Sequence, residues 1–251
     1  MRWWSTRWLI VAMLGLGLVA VGCNSSSDEP PAPLASPSDL ESFRYDLNAK
    51  ISGGGGDLGG GSGVNLSIDF TVDASGAIVA PDRQQSTIKA DLGFLSINLE
   101  SISIGEDSWT REPGGEWTTA SEGGFGDLGF DVSPTDVLPT EDDQTLSDLR
   151  DILADREWES EEVNGIDAVR YDITREDLVA MVTETGTAQD LADLEDMQEF
   201  DGSIWLERST GIPVKLLVDA SGTVDGEENT IHLELNLKDL NDDSIEIEPP
   251  A

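Results

Sequence analysis

Apolar and polar residues alternate with a period of two along much of the chain, the pattern of strands with one buried face. The first run spans residues 43–51, and a second spans residues 64–72 before a turn predicted at residues 73–76. Pro113-Gly114-Gly115 predicts a hairpin turn between strands that carry Trp109 and Trp117. Further strands are predicted near residues 84–92, 95–104, 156–163, 169–173, 202–207, 213–219 and 230–239.

Helical spacing is confined to a few segments between the strands. Leucine and isoleucine positions predict a helix over residues 144–154, and shorter patterns predict helices over residues 175–184 and 188–199. Ser133-Pro134 is a candidate helix start. Consecutive antiparallel strands with helical insertions predict an α+β fold: one large curved antiparallel sheet, an unclosed half-barrel, covered by a few helices.

A glycine-rich run over residues 53–63 separates the first two predicted strands. So much glycine favours a long flexible loop, which is either a mobile flap beside a cavity or a tolerated insertion. The run lacks the Gly-Lys-Ser/Thr ending of a phosphate-binding loop. It therefore predicts no nucleotide site.

The N-terminus has the features of a secretory signal. Arg2 and Arg7 precede an apolar stretch over residues 9–21, which is too short to span a membrane and ends in small residues. Ala20-Val21-Gly22-Cys23 resembles the lipobox of bacterial lipoproteins, which implies cleavage before Cys23 and acylation of its sulfur. Cys23 is the only cysteine, so it has no disulfide partner within the chain.

This N-terminus predicts the domain organisation and the location of the protein. We expect a signal peptide at residues 1–22, a lipidated cysteine with a flexible tether at 23–38, a folded domain at 39–240 and a tail at 241–251 that is an edge strand or disordered. Several acyl chains on one cysteine anchor a protein stably. The predicted location is the cell envelope, on the outer face of the cytoplasmic membrane or on the outer membrane.

Charge excludes several classes of partner. All 51 acidic residues but only 12 of the 14 basic residues follow residue 22, which gives this part a formal charge of −39. So negative a protein is unsuited to nucleic acid or to docking on anionic lipid surfaces. The acidity is compatible with adaptation to a saline medium, with cation binding or with simple solubility.

Residues with catalytic or metal-binding chemistry are few. His232 alternates with Ile231 and Leu233, which predicts a solvent-facing position with no nucleophile beside it. Asp239 begins a sequence like a calcium loop, but Ser244 stands where glycine is required, and Pro250 stands where glutamate is required. The abundant carboxylates mostly fall on polar faces, so a paired-acid hydrolase remains a remote alternative. We predict no enzyme activity, no metal site and no cofactor.

Five segments carry a resemblance to a known superfamily: FRYDLNAKIS, GAIVAPDRQQSTIKA, SISIGEDSWTREPGGEW, VNGIDAVRYDI and IWLERSTGIPVKLLVDASG. These segments follow a lipoprotein tether. From about Asp39 to about Asp239, their order along the chain and their general residue pattern resemble the LolA/LolB and LppX/LprG lipid and lipoprotein carriers, although no exact motif is shared. The resemblance implies an unclosed antiparallel half-barrel with helices as a lid over an apolar cavity, and no catalytic residues. The acidic excess and the glycine-rich run are departures from the family, so no particular cargo is indicated.

Two functions follow as expectations. The first is a membrane-anchored carrier that binds a lipid, an acyl chain or another apolar ligand in the half-barrel. The second is a non-catalytic surface lipoprotein with a filled core, which serves an unidentified envelope partner or a structural role. The residues predicted to line the cavity are Leu66, Ile68, Phe70, Leu233 and Leu235, with Trp109 and Trp117 at its mouth.

Overall fold

The computed structural model contains one antiparallel sheet of eleven strands. The structure describes residues 30–54, 67–91, 93, 95–119, 144–177, 179, 197–224 and 227–250. The strands are β1 (Ser42–Gly54), β2 (Ser67–Val79), β3 (Arg83–Asp91), β4 (Ser96–Ile104), β5 (Asp107–Arg111), β6 (Thr118–Thr119), β7 (Glu159–Val163), β8 (Ile166–Ile173), β9 (Met197–Glu207), β10 (Pro213–Val224) and β11 (Glu227–Lys238).

The strand order is β6-β5-β4-β3-β2-β1-β11-β10-β9-β8-β7, with every neighbouring pair antiparallel. The first and last strands therefore pair at the centre, and two meanders extend outward from them. The short strands β6 and β7 are the two edges, and short edges limit pairing with other chains. The prediction of a large, unclosed antiparallel sheet with few helices is confirmed.

Helical structure among the described residues is limited. It comprises a single 3-10 turn (Pro37–Asp39), helix α1 (Gln144–Ala154), and helical residues 175–177 and 179. The bounds of α1 agree with the helix predicted from the leucine spacing. Leu146, Leu149 and Leu153 of α1 are buried in the same cluster as the central strands.

One face of the sheet, here called the core face, forms the main hydrophobic cluster. In an antiparallel pair, directly opposite residues point to the same side. Tyr45 is opposite Leu237, and Leu47 is opposite Leu235, so these side chains share the core face. Their alternating neighbours, such as Asp46, point to the other side, here called the outer face.

The turn predicted at residues 73–76 is wrong, because β2 continues through it to Val79. Gly76 is opposite Tyr45 in β1 and Ser86 in β3. A Cβ atom at Gly76 would lie 2.1 Å from the Gln85 carbonyl oxygen and 2.9 Å from the Tyr45 hydroxyl oxygen. The glycine is therefore required by a close approach inside the sheet, not by a chain reversal.

Two other predicted boundaries differ from the structure. The helix predicted for residues 188–199 does not include its last three residues, because Met197–Glu199 begin β9. The glycine-rich loop was predicted to start at Gly53, but Gly53 and Gly54 belong to β1. Ser133-Pro134, residues 55–63, and the rest of the helices predicted for 175–184 and 188–199 lie outside the described residues.

The end of the predicted tether packs onto the domain. Leu34 is buried in the main cluster, and the Nε of Arg150 donates a hydrogen bond of 2.8 Å to the Leu34 carbonyl oxygen. Gly211, in the turn between β9 and β10, has a φ of +76°, and a Cβ atom there would lie 1.8 Å from the carbonyl oxygen of Pro33. The folded region thus begins several residues before the predicted boundary at residue 39.

The C-terminal tail is ordered through residue 250 but is not a strand. Asp239 and Asn241 both have a φ of 53°, which turns the chain back after β11. Ile245 and Ile247 are then buried against the outer face, and the Nη1 of Arg83 donates a 2.9 Å hydrogen bond to the Ile247 carbonyl oxygen. Burial of these two isoleucines holds the tail against the domain, where it forms neither an edge strand nor a disordered segment as far as residue 250.

Cys23 and the signal sequence lie outside the described residues. Within the described ranges, no helix is both long enough and apolar enough to cross a membrane.

Candidate functional site

The core face is uncharged over a wide area. Its positions in β1 to β4, assigned from the pairing, include no aspartate, glutamate, lysine or arginine. In β10 and β11 the same face carries Leu216, Val218, Leu233 and Leu235. A surface this apolar is stable only when protein or an apolar ligand covers it.

The burial of the core face differs between the two ends of the sheet. The end where β1 begins, here called the proximal end, receives residues 32–40. There Tyr45 has an exposed fraction of 0%, and Leu237 has 1%. At the opposite, distal end, Ile51 and Phe70 are only partly buried, and Leu95 is 46% exposed.

The distal positions form a continuous row of apolar side chains across five strands, here called the distal row. Phe200 pairs with Ala220, which pairs with Ile231; Ile231 is opposite Ile51, and Ile51 is opposite Phe70. Phe200, Ile51 and Phe70 are half-buried, while Ala220 and Ile231 are buried. The phenylalanines therefore stand at the two ends of an aliphatic row.

The structure brings part of the predicted cavity lining together. Phe70 belongs to the distal row, while Leu233 and Leu235 occupy the next core-face positions along β11 toward the proximal end. Ile68 lies in β2, opposite Gly53, and Leu66 lies outside the described residues. Leu233 and Leu235 are almost fully buried at 5% and 1% exposure.

Trp109 and Trp117 lie apart from those residues. Trp109 is opposite Ile102 on the outer face, and both tryptophans pack in a separate cluster with Ile245 and Ile247. The guanidinium carbon of Arg111 lies 4.4 Å from the Trp117 ring centroid, a cation–π distance. The C-terminal segment thus covers these two aromatic residues.

A second zone of the core face consists of hydroxyl and amide side chains on β3 to β5, here called the hydroxyl strip. Ser86 and Ser101 are opposite each other with their Oγ atoms 2.6 Å apart, and Ser103 and Ser108 are 2.8 Å apart. Sequence analysis missed this zone, because serines that alternate with Ile102 and Ile104 predict an outward-facing position. The strip comprises Gln84, Ser86, Ser101, Ser103, Ser108 and Thr110.

Tyr45 lies at the border between the apolar area and the hydroxyl strip. It belongs to one lateral row that continues through Gly76 and Ser86 to Ser101. Its hydroxyl group is buried and has no hydrogen-bond partner of acceptable geometry among the described residues. Burial raises the pKa of Tyr45, while the nearby side chains of Gln84 and Ser86 act in the opposite direction.

The outer face of the central strands is polar and rich in ion pairs. All four lysines of the chain project from it: Lys50, Lys89, Lys215 and Lys238. Lys215 pairs with Glu234 at 3.0 Å, and Lys238 pairs with Asp46. A hydrogen bond from Asn236, together with Lys215, lowers the pKa of Glu234.

Two pockets on the outer face are lined mainly by polar residues. One of about 370 Å³ is lined by residues that include Asp46, Asn48, Asp73, Lys89 and Glu234. Within the described ranges, no group of three or more histidine, cysteine, aspartate or glutamate residues is arranged to hold a metal ion.

His232 lies on the outer face as predicted, in a pocket of about 490 Å³ that also contains two hydroxyl groups. Its Nδ1 is 2.7 Å from the Asp219 Oδ1. The hydroxyl of Ser221 donates to Glu199 at 3.3 Å, and the hydroxyl of Thr230 shares a 2.6 Å hydrogen bond with Ser52. Both candidate nucleophiles in this pocket are therefore bonded to groups other than the imidazole.

A buried ion pair joins the end of α1 to the helical residues 175–177. The Nη2 of Arg156 lies 2.7 Å from the Asp177 Oδ1, and both side chains are nearly buried at 12% and 13% exposure. The Arg156 Nε also donates to the Ile152 carbonyl oxygen at 3.3 Å. Burial raises the pKa of Asp177 to about 6 despite the neighbouring guanidinium.

No model of a known protein family matches the sequence, and no curated protein matches it significantly.

Proposed function

We propose that the protein is a membrane-anchored lipoprotein that binds an acyl chain or another apolar ligand against the core face. The distal row is the observation that carries this proposal. Its half-buried phenylalanine and isoleucine side chains lie in an uncharged surface that continues into the buried core. An acyl chain laid along this surface gains about 0.8 kcal/mol per buried methylene group.

The sheet is proposed to curve around the ligand, with α1 and the helical residues near 175–179 forming part of its cover. The leucines of α1 share the main cluster with the sheet, and Val179 packs at its margin. The ion pair between Arg156 and Asp177 ties these two helical pieces together on the same side. This arrangement agrees with the half-barrel and lid that the resemblance to lipid carriers implies.

The chain that follows the proposed anchor at Cys23 joins the domain at the end opposite the distal row. Residues 32–40 dock at the proximal end, and the thirteen residues of β1 extend about 43 Å at 3.3 Å per residue. In this proposal, the ligand-binding end points away from the membrane that holds the lipid anchor. It is then available to a donor or an acceptor of the ligand elsewhere in the envelope.

A paired substitution tests the binding site. Phe70→Asp and Phe200→Asp each place a carboxylate on the distal row, whereas Leu217→Asp places one at a half-buried apolar position on the outer face. The chain from residue 23 onward, carrying Cys23→Ser, is purified gently, and its bound lipid is identified by mass spectrometry. We expect lipid with the parent and the Leu217 variant, and at least a tenfold loss with both phenylalanine variants.

Circular dichroism and thermal melting of the same samples check that each variant is folded. Repeated absence of lipid from a folded parent protein, together with no saturable binding of added decanoate, would contradict the carrier function. Equal lipid content in all four proteins would place the ligand elsewhere.

The second candidate is a non-catalytic interaction or structural lipoprotein with a filled core. It is favoured by the near-complete burial of Leu233 and Leu235, where sheet and α1 side chains already provide the packing. This function predicts no bound lipid and no loss of any binding in the Phe70 or Phe200 variants. The lipid analysis above therefore separates the two candidates.

A further inference from the structure

We propose that the outer face of the central strands carries a second binding site, here called the polar groove, which takes a chain of neutral sugar residues. This site is independent of the carrier function, because the polar groove and the distal row lie on opposite faces of the sheet. The groove is the pocket of about 370 Å³ that crosses strands β11, β1, β2 and β3. Its volume falls in the range of small-ligand sites.

Two adjacent rows of polar side chains line the polar groove, and each row takes one residue from each of the four strands. Directly opposite residues in the pairing share a face, so the members of a row are neighbours across the strands. A second hollow of about 270 Å³ adjoins the groove and shares three members of the first row, which lengthens the polar surface. The first row is Asn236, Asp46, Ser75 and Thr87, and the second row is Glu234, Asn48, Asp73 and Lys89.

Amide and carboxylate side chains in the polar groove hold one another in place. The Nδ2 of Asn48 donates a hydrogen bond of 2.6 Å to the Asp73 Oδ1, and the Nδ2 of Asn236 donates one of 3.1 Å to the Glu234 Oε1. Within the described residues, these bonds leave the two amide oxygens and the second carboxylate oxygens without a donor. The groove therefore presents acceptors in fixed positions, and groups that are already ordered lose little conformational entropy when a ligand binds.

Free hydrogen-bond donors lie beside these acceptors. The hydroxyl groups of Ser75 and Thr87 and the ammonium group of Lys89 form no side-chain hydrogen bond or ion pair with another described residue. Ser75 and Lys89 are exposed and Thr87 is half-buried, so a ligand in the groove can reach all three. Fixed acceptors next to free donors suit hydroxyl groups, because each hydroxyl donates and accepts at the same time.

The charge of the polar groove is balanced, although the chain as a whole has 51 acidic and 14 basic residues. The three carboxylates of the groove are matched by three of the four lysines of the chain. A charged ligand therefore gains no net attraction there, and the remaining acidic surface repels anions. An uncharged ligand rich in hydroxyl groups, which is the chemistry of a neutral sugar chain, fits this surface. The matched groups are Asp46 with Lys238, Glu234 with Lys215, and Asp73 opposite Lys89.

Titration calorimetry with defined tetrasaccharides tests the proposal. The chain from residue 23 onward, carrying Cys23→Ser, is titrated with the neutral probes cellotetraose, maltotetraose and chitotetraose, and with the anionic probe tetragalacturonate. We expect at least one neutral probe to bind with a dissociation constant of about 1 mM or lower, and tetragalacturonate to bind about tenfold more weakly or not at all.

A pair of threonine variants then assigns the binding to the polar groove. Thr87→Val keeps the β-branched shape and removes a hydroxyl that has no partner among the described residues. We expect it to weaken binding of the neutral probe about fivefold and to leave the melting temperature unchanged, because only a bond to the ligand is lost. Thr71→Val is the matched control, since Thr71 is also half-buried on the outer face but lies outside both hollows. It should change neither quantity.

The outcomes are distinguishable from those of the lipid analysis. Absence of binding by all three neutral probes would overturn the proposal and show that the polar groove is a solvated surface. Tetragalacturonate that binds as tightly as the neutral probes, or a folded Thr87→Val protein with full affinity, would overturn it as well. The lipid content of the Thr87→Val protein should equal that of the parent, because Thr87 is on the outer face.

Discussion

Two regions of the sheet use the same alternating pattern in opposite ways. In β1 and β11, aliphatic residues such as Leu47 and Leu235 face the core, while Asn48 and Glu234 face outward. In the second half of β4 the order is reversed: Ser101 and Ser103 lie on the core face, and Ile102 is buried on the outer face. The difference teaches that alternation shows a strand to have two unlike faces without showing which face is covered.

The cover on each side decides between the two arrangements. The C-terminal segment places Ile245 and Ile247 over Ala77 and Ile102, which makes the outer face of that region a small hydrophobic core. The outer face of the central strands carries ion pairs instead. Part of the first meander thus buries apolar surface on the outer face, although the same meander also contributes Val72 and Ile88 to the main cluster on the core face.

The largest expected effect comes from a cavity in the central region. Leu235→Ala removes a side chain that is 1% exposed and packs between the core-face residues Leu47 and Leu216. Leucine-to-alanine changes in such positions lower the free energy of unfolding by about 3–4 kcal/mol. Urea denaturation monitored by circular dichroism measures the change.

Leu217→Ala is the matched control, one strand away on the outer face and half-buried. We expect it to lower the free energy of unfolding by about 1 kcal/mol, because less apolar surface is removed from packing. Similar losses from the two leucines would contradict the assignment of the main core to the core face.

A smaller effect is expected from the reversed region. Ile247→Ala removes an anchor of the C-terminal segment that is 2% exposed, and should lower the free energy of unfolding by about 2–3 kcal/mol. Loosening of the segment also exposes Trp109 and Trp117 to water, so their fluorescence should shift to longer wavelength. Glu246→Ala, the exposed neighbour, should change neither measurement, and an equal response from both variants would show that the segment does not cover a core.

The last two predictions concern the pH dependence of stability, first for a buried carboxyl and then, with the smallest effect, for a solvent-exposed one. Asp177 has a pKa of about 6 in the folded protein, raised by burial from 3.8. The folded state therefore binds the proton more tightly, and the stabilisation from protonation is lost as the pH rises through 6. Relative to Asp177→Asn, the parent protein should gain about 2 kcal/mol of unfolding free energy between pH 7 and pH 4.5. Urea denaturation of both proteins at the two pH values measures this difference, and a constant difference would contradict the buried position of Asp177.

Glu234, on the outer face, should respond with the opposite sign. The hydrogen bond from Asn236 and the contact with Lys215 lower its pKa, so its contribution is present above the unfolded pKa and is lost as the pH falls. Glu234→Gln should therefore differ from the parent more at neutral pH than at acidic pH. The effect stays below about 1 kcal/mol, because the pair is open to solvent.

Much of the fold was predictable from the local pattern of apolar and polar residues. The wrong predictions show which features this pattern does not determine. Leu146, Leu149 and Leu153 define α1 because helical spacing and burial agree there. The segment at residues 73–76 has the composition of a turn, yet Gly76 is used for a close contact between strands. No local signal distinguishes these two uses of glycine.

The candidate site was predictable only in part, for a related reason. Phe70, Leu233 and Leu235 were assigned to one face by alternation, and pairing across β1 brings them together. The hydroxyl strip was missed, because serine is polar and was expected to face water. Phe200 was missed, because the segment before it has helical spacing although Phe200 itself lies in β9.

The sequence by itself determined the existence of the strands, the limits of α1, the acidic character of the chain and the polar identity of the outer face in the central strands. These properties depend on residues close together along the chain. Tertiary structure alone decided that β1 pairs with β11, that residues 32–40 and 242–250 pack onto the domain, and that Ser101 and Ser103 of β4 face inward. These outcomes depend on which distant segment covers each face, and burial is a property of that cover and not of the strand beneath it.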